Sequence, residues 1–287
     1  MSKLDTVIFG DNQFFGINHH SEEKARELAE RFGKLEAITR VYEDAWEVAI
    51  RGFMLNANHR ADSICDYLRA NGPDDMALYP SIPYPHKYAN AVNEKGLFGA
   101  IRDFTEDDGL FSFAKRGAEA LLSQDMVPVM KTLVDLEMQT FRNMNVKVLF
   151  LQNILTDLLL GVGAEDVLAA FGDHVKTRWG VEPGFLSMNM PMAVRVLRKA
   201  GIDDPIVCSA INRAGYFMNP SIEAVEATLQ AGQFRPMAMS IMASGAVPPA
   251  EAISYVAGLP LKSVVFGASS RRNIEQTANL LWEGLGR

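Results

Sequence analysis

The side chains able to do chemistry gather where short apolar runs end. After the run Thr6 to Phe9 comes "GDNQFFGINHHSEE", with Asp11, Asn12, Gln13, Asn18, His19 and His20 in one loop. After "GFML" come Asn56, Asn58, His59 and Arg60, and after "MALYPSIP" come Tyr84, His86 and Lys87. General acid–base work needs a group that titrates near the working pH, and these loops hold the groups of that kind. Asp11, Asn58, His59, Tyr84 and His86 are therefore the candidate reacting residues. Four of the five histidines lie in these loops, and with Asp11 they offer the imidazole and carboxylate ligands that zinc, iron or manganese take. No His-x-His or His-Glu-x-x-His spacing is present, so hydrogen-bonding or surface histidines are taken ahead of a divalent metal.

A second set sits at the other end of the chain. The run Lys262 to Phe266 ends in Gly267, Ala268, Ser269 and Ser270, then Arg271, Arg272 and a helix continuing from Asn273. Backbone N–H groups, hydroxyls and guanidinium groups can converge there on an anion such as phosphate. The alternative is a serine helix cap followed by two solvated arginines. The remaining strand ends carry Ser81, Gln152, Asn153, Ser187, Asn189, Asn212, Arg213, Ser240 and Ser244, a lining rich in amides and poor in acids that suits recognition of a polar ligand.

These residues need a scaffold that brings strand ends to one face. Apolar runs without period-two alternation suit parallel strands covered on both sides. Eight are legible: Thr6 to Phe9, Gly52 to Asn56, Met76 to Pro83, Val146 to Leu151, Gly184 to Met188, Pro205 to Ala210, Pro236 to Met242 and Lys262 to Phe266. Helical stretches alternate with them, among them Ser21 to Gly33, Leu35 to Ile50, Ala164 to Phe171 and Met192 to Ala200. The expected fold is α/β, a single (β/α)8 barrel over residues 1–287. Residues 84–145 form an extended loop and helical insertion, broken near Asp107 to Gly109 and near Pro128. Lys131 in "VPVMKTLVDLEMQTF" reads as a surface helix residue, given the spacing of Val129, Leu133, Leu136 and Phe141, rather than a Schiff-base lysine.

The closing stretch "LPLKSVVFGASSRRNIEQTANLL" resembles the end of aldo-keto reductases, where a strand ending Gly-x-Ser meets a helix and holds the adenosine phosphate of the cofactor. The resemblance continues more weakly back through "SAINRAGYFMNP" and "GFLSMN". It implies that Ser187 and Asn189 contact the nicotinamide carboxamide and that Ser269, Ser270 and Arg272 hold the phosphate. Asn212, Ser244 and Gly267 complete the implied cofactor-binding set. The family's Asp, Tyr, Lys and His tetrad is not matched: "NAN" at Asn56 to Asn58 replaces Asp-Thr-Ala, "YPSIP" lacks the lysine, and Gln152 or Asn153 replaces the histidine.

Composition narrows the partners. The net charge of −7 disfavours general nucleic-acid binding, and no apolar run reaches the roughly 18 residues of a membrane span. Cys65 and Cys208 lie in apolar segments and read as reduced core residues. The N-terminus lacks a signal-peptide pattern, so a cytoplasmic location is expected. The expectation is an enzyme that binds a small phosphate-bearing ligand at the last two loops. NADP is taken ahead of a phosphorylated substrate, with non-standard reacting residues. A lyase, isomerase or hydrolase of a phosphorylated molecule, and a non-catalytic metabolite-binding barrel, are the alternatives. The strand-three loop aromatics suit covering a ligand or a second subunit, so a homo-oligomer stays open.

Overall fold

Within each strand, successive side chains enter two different cores, because neighbouring residues point to opposite faces of a sheet. Ile8, Met54, Tyr79, Phe150, Cys208 and Val265 meet inside a closed ring of strands. Their neighbours Phe9, Phe53, Leu149, Val207 and Phe266 face outward against helices. The computed structural model, which describes residues 3–15, 22–84 and 126–286, is a parallel barrel closed in chain order. Its strands are β1 (Val7–Phe9), β2 (Gly52–Asn56), β3 (Ala77–Ile82), β4 (Val148–Leu151), β5 (Glu182–Leu186), β6 (Ile206–Ala210), β7 (Arg235–Met239) and β8 (Ser263–Phe266). β8 pairs with β1, Phe9 opposite Phe266, which closes the ring.

Around it, among the described residues, lie α1 (Glu22–Arg31), α2 (Leu35–Glu47), α3 (Ala61–Asn71), α4 (Met126–Glu137), α5 (Asn153–Val162), α6 (Glu165–Trp179), α7 (Met190–Lys199), α8 (Ile222–Ala231), α9 (Pro249–Ala257) and α10 (Arg271–Gly284). None of the described helices is long and apolar enough to cross a membrane. Both cysteines are buried and free.

The interior is filled by size matching. A Cβ at Gly184 would lie 2.4 Å from the Phe150 ring and 2.7 Å from Val148, so β5 carries no side chain where β4 supplies a large one. The floor is polar and paired. Tyr79 donates its hydroxyl to Asp5 Oδ2 at 2.6 Å, Lys147 Nζ reaches the same oxygen at 2.8 Å, and the Ser263 hydroxyl donates to the Asp5 carbonyl. Arg235 bonds Glu182 and lies 3.0 Å from Asp204. This end holds the strand starts together and leaves the opposite end for a site.

Several boundaries differ from the sequence expectation, each for a physical reason. β5 begins at Glu182, two residues early, because the charge of Glu182 is met by Arg235 across the floor. β7 ends at Met239 because Ser240 takes φ 54°, outside the extended region. α2 stops at Glu47, short of Ile50, where Ala49 turns to φ 66°. Pro128 does not break a helix but lies in the first turn of α4, where an N–H has no intrahelical acceptor to lose. Phe141 is buried beyond the end of that helix, and Lys131 is exposed on it. Within the expected insertion, residues 85–125 lie outside the described ones.

Candidate active site at the C-terminal mouth of the barrel

Gly10 continues β1 by donating to the Phe266 carbonyl at 2.8 Å, and the chain then turns into a short 3-10 segment, Asn12–Phe15. This turn buries Asp11, 3% exposed, beside the end of β2. One oxygen of Asp11 accepts from the Asn56 backbone N–H at 2.8 Å and the other from Asn56 Nδ2 at 2.7 Å. Ser81, at the matching position on β3, donates its hydroxyl to Asn56 Oδ1 at 2.8 Å. That bond fixes the Asn56 amide with its NH2 toward Asp11. Three adjacent strand ends thus support one carboxyl.

Burial dominates the proton affinity of that carboxyl. Removal from water pushes Asp11 up from 3.8 to about 7, and the two bonds from Asn56 hold it back from a larger rise. No cation pairs with it among the described hydrogen bonds and ion pairs. Tyr84, half-buried at the end of the β3 extension, feels Asp11: burial raises its phenol first, and the charge of Asp11 raises it further. Tyr42, fully buried under the turn between Phe14 and Phe53, has a hydroxyl with no hydrogen-bond partner among the described residues.

The other expected reacting residues are placed differently. Asn58 is buried, but its amide is spent on its own turn, donating to the Asn56 carbonyl at 2.9 Å and accepting from Arg60 N–H at 2.8 Å. His59 is exposed. His86, with His19, His20 and Lys87, lies outside the described residues. Among the described residues no three His, Cys, Asp or Glu side chains gather as metal ligands.

The expected cofactor residues fall into three places. Ser269, Ser270 and Arg272 surround the start of α10. Ser270 caps it by accepting from Asn273 N–H at 3.4 Å, while Arg272 stays exposed. Arg271 is held by Glu47, with Asp44 at 3.6 Å. Arg31, at the end of α1, reaches the Ser269 carbonyl, a cation that sequence reading missed because 238 residues separate the pair. The Gln13 side chain lies over Gly267, where a Cβ would meet its Oε1 at 2.4 Å. Ser187 and Asn189 form the second place. Ser187 donates to Asp157 Oδ1 at 2.6 Å, Met188 N–H donates to Asp157 Oδ2 at 3.0 Å, and Asn189 caps α7 by accepting from Met192 N–H at 3.2 Å. Asp157 was also missed, although a lone acid in "ILTDLLLG" was its signal. Third, Asn212 is fully buried and clamps its own loop, bonding both the N–H and the carbonyl of Tyr216 at 2.9 and 2.8 Å. Ser244 is exposed at φ 56°.

No protein-family model matches the chain, and no curated protein matches it in sequence. Solved structures do match in fold. Two of them are structures from Pseudomonas aeruginosa assigned as aldo-keto reductases. They superimpose with TM-scores of 0.58 and 0.61 at 12% identity, over 97% of this chain and 90% of theirs. An aldo/keto reductase from Brucella melitensis superimposes with a TM-score of 0.52 at 11% identity, over 96% of this chain and 88% of that one. The chain therefore has an aldo-keto reductase-like (β/α)8 barrel.

Proposed function

We propose that this barrel is a reductase-like enzyme that handles a proton with Asp11 and binds a phosphate-bearing nicotinamide cofactor, NADP, beside α10. The observation that carries the proposal is the buried Asp11 carboxyl, held by Asn56 and Ser81 at the mouth and titrating near neutrality. A group with that proton affinity is matched to acid–base work at physiological pH. Protonated Asp11 keeps lone pairs on both oxygens for the two Asn56 donors and has one proton left to give. Below about pH 7 it can therefore protonate a carbonyl oxygen, and above that pH it can take the proton back from an alcohol. Tyr84, whose phenol feels the charge of Asp11, can orient the same oxygen.

The α10 end fits a phosphate. Exposed Gly267 precedes the helix start, Ser269 and Ser270 bring hydroxyls to it, and Arg31 and Arg272 supply charge. The bound nicotinamide would supply hydride. The residues of this chain hold its phosphate, position the reacting oxygen and manage the proton, which replaces the family's usual tetrad with a different set.

A titration with NADPH, followed by quenching of tryptophan fluorescence and competed by a 2′-phosphorylated adenosine, tests the cofactor assignment. Saturable, competable binding supports it, and no binding into the millimolar range overturns it. The same carboxyl favours a second reading, a lyase or isomerase that moves a proton on a phosphorylated molecule. Turnover without nicotinamide, lost in Asp11→Asn, would select that reading. A cytoplasmic location is proposed with either.

A further inference from the structure

The acid missed by sequence reading is tied to the end of β5, whereas Asp11 is held by the ends of β2 and β3. Asp157 lies on α5, and its two oxygens accept from the Ser187 hydroxyl and the Met188 N–H, which tie it to the end of β5. Each oxygen keeps lone-pair capacity, since a carboxylate accepts about four hydrogen bonds. Beside it opens a cavity of about 390 Å³, within the range of small-molecule sites. Leu160, Met188, Met192 and Pro220 form its apolar walls. Asn189 and Asn219 add amides at its edge, and the Asn219 N–H donates to the Met188 carbonyl at 3.2 Å, fixing that edge to the β5 end.

Among the described residues, the lining contains a carboxylate and no lysine or arginine. A bound anion would meet Asp157 with no compensating charge, and a purely apolar molecule would cover the carboxylate without pairing it. A cation on an apolar body satisfies both surfaces. We propose that this cavity binds a small organic ammonium ion, its charged nitrogen on Asp157 and its apolar part between Leu160, Met188 and Met192. Burial already raises the proton affinity of Asp157, against the pull of Ser187 and Met188, so a cation there restores what desolvation removed. The site shares no residue with Asp11 and its partners or with the α10 end, and it borders Ser187 and Asn189, the pair that the resemblance assigns to the nicotinamide carboxamide.

The full chain labelled with 13C in its methionine methyl groups reports on the walls directly, with Met188→Leu and Met192→Leu identifying the two signals. Benzylamine is expected to shift both signals saturably, with a Kd of about a millimolar, as befits a ligand of that size. Benzyl alcohol, nearly the same shape without the charge, is expected to bind at least tenfold more weakly. Asp157→Asn is expected to erase that preference. Because this variant also loosens the β5 end, Met192→Trp is the second test. It fills the cavity from the surface, and loss of benzylamine binding at an unchanged melting temperature is expected. Equal affinity for amine and alcohol, absence of saturation, or saturation that survives Met192→Trp overturns the proposal.

Discussion

Replacing Asp11 with Asn should make the protein more stable and less active, and the size of the first effect follows from the site. The unfolded chain ionises this carboxyl near 3.8, whereas the folded one holds its proton until about 7. Between those two values the unfolded state is the one that has lost the proton, so stability falls as pH rises through the window and stays low above it. The full difference corresponds to about 4 kcal/mol. Asparagine has nearly the same shape and no charge to desolvate. It brings one donor where Asp11 had two acceptors, so the Asn56 amide must flip, with the Ser81 hydroxyl turning from donor to acceptor. A rearranged or weakened hydrogen bond costs about 1 kcal/mol. The net gain at pH 8 is then about 3 kcal/mol, a rise in melting temperature of roughly 5–10 °C for a chain of this size. At pH 4 the gain should vanish, because wild-type Asp11 is neutral in the folded state there. Thermal unfolding by circular dichroism across that pH range measures both limits. An Asp11→Asn protein destabilised equally at pH 4 and pH 8 would refute the reasoning, since it would make Asp11 a simple structural acceptor.

Four further outcomes are expected. Asp11→Asn should lower turnover by about 10²-fold or more, and in the wild type kcat/KM for carbonyl reduction should fall with an apparent pKa of about 7; a flat profile from pH 5 to 9 would remove the acid role. Arg272→Ala should weaken NADPH binding at least tenfold with no change in the urea midpoint, and unchanged affinity would remove the phosphate assignment. Tyr84→Phe should lower kcat by about tenfold with KM for the cofactor unchanged; wild-type kinetics would leave the phenol without a role. Gly184→Ala should cost about 1–3 kcal/mol in urea unfolding, because its methyl group must displace the Phe150 ring.

The scaffold was largely legible because parallel barrel strands are apolar on both faces and need no partner to be recognised. β2 was read to the residue, Gly52–Asn56. The strand ends that were misplaced depend on something a local pattern does not hold: Glu182 extends β5 because Arg235, 53 residues on, neutralises it. α5 escapes the sequence pattern because Asn153 reads as a mouth residue, whereas Gln152 is the cap, accepting from Ile154 N–H at 2.9 Å. At the site, Asp11 was visible as an acid following a strand, but its near-neutral proton affinity comes from burial, and the Asn56 and Ser81 side chains that fix its place lie 45 and 70 residues away. The cap position of Ser270 was legible, while the ion pairs that claim Arg271 and the approach of Arg31 were not.

The floor contacts of Asp5 bear on the order in which the chain can assemble. A single residue near the start of the chain is tied to Tyr79, Lys147 and Ser263, at sequence separations of 74, 142 and 258. The last of these cannot form until the 258 residues that separate the pair have left the ribosome. Long-range closures of this kind pay their chain entropy before they return any contact, and they slow folding accordingly. Until then β1 has one edge unpaired, and the segment from Asp5 to Phe9 offers hydrogen-bonding groups to any strand that comes near. During synthesis, holding that first strand out of reach of other chains is a task the finished barrel no longer has.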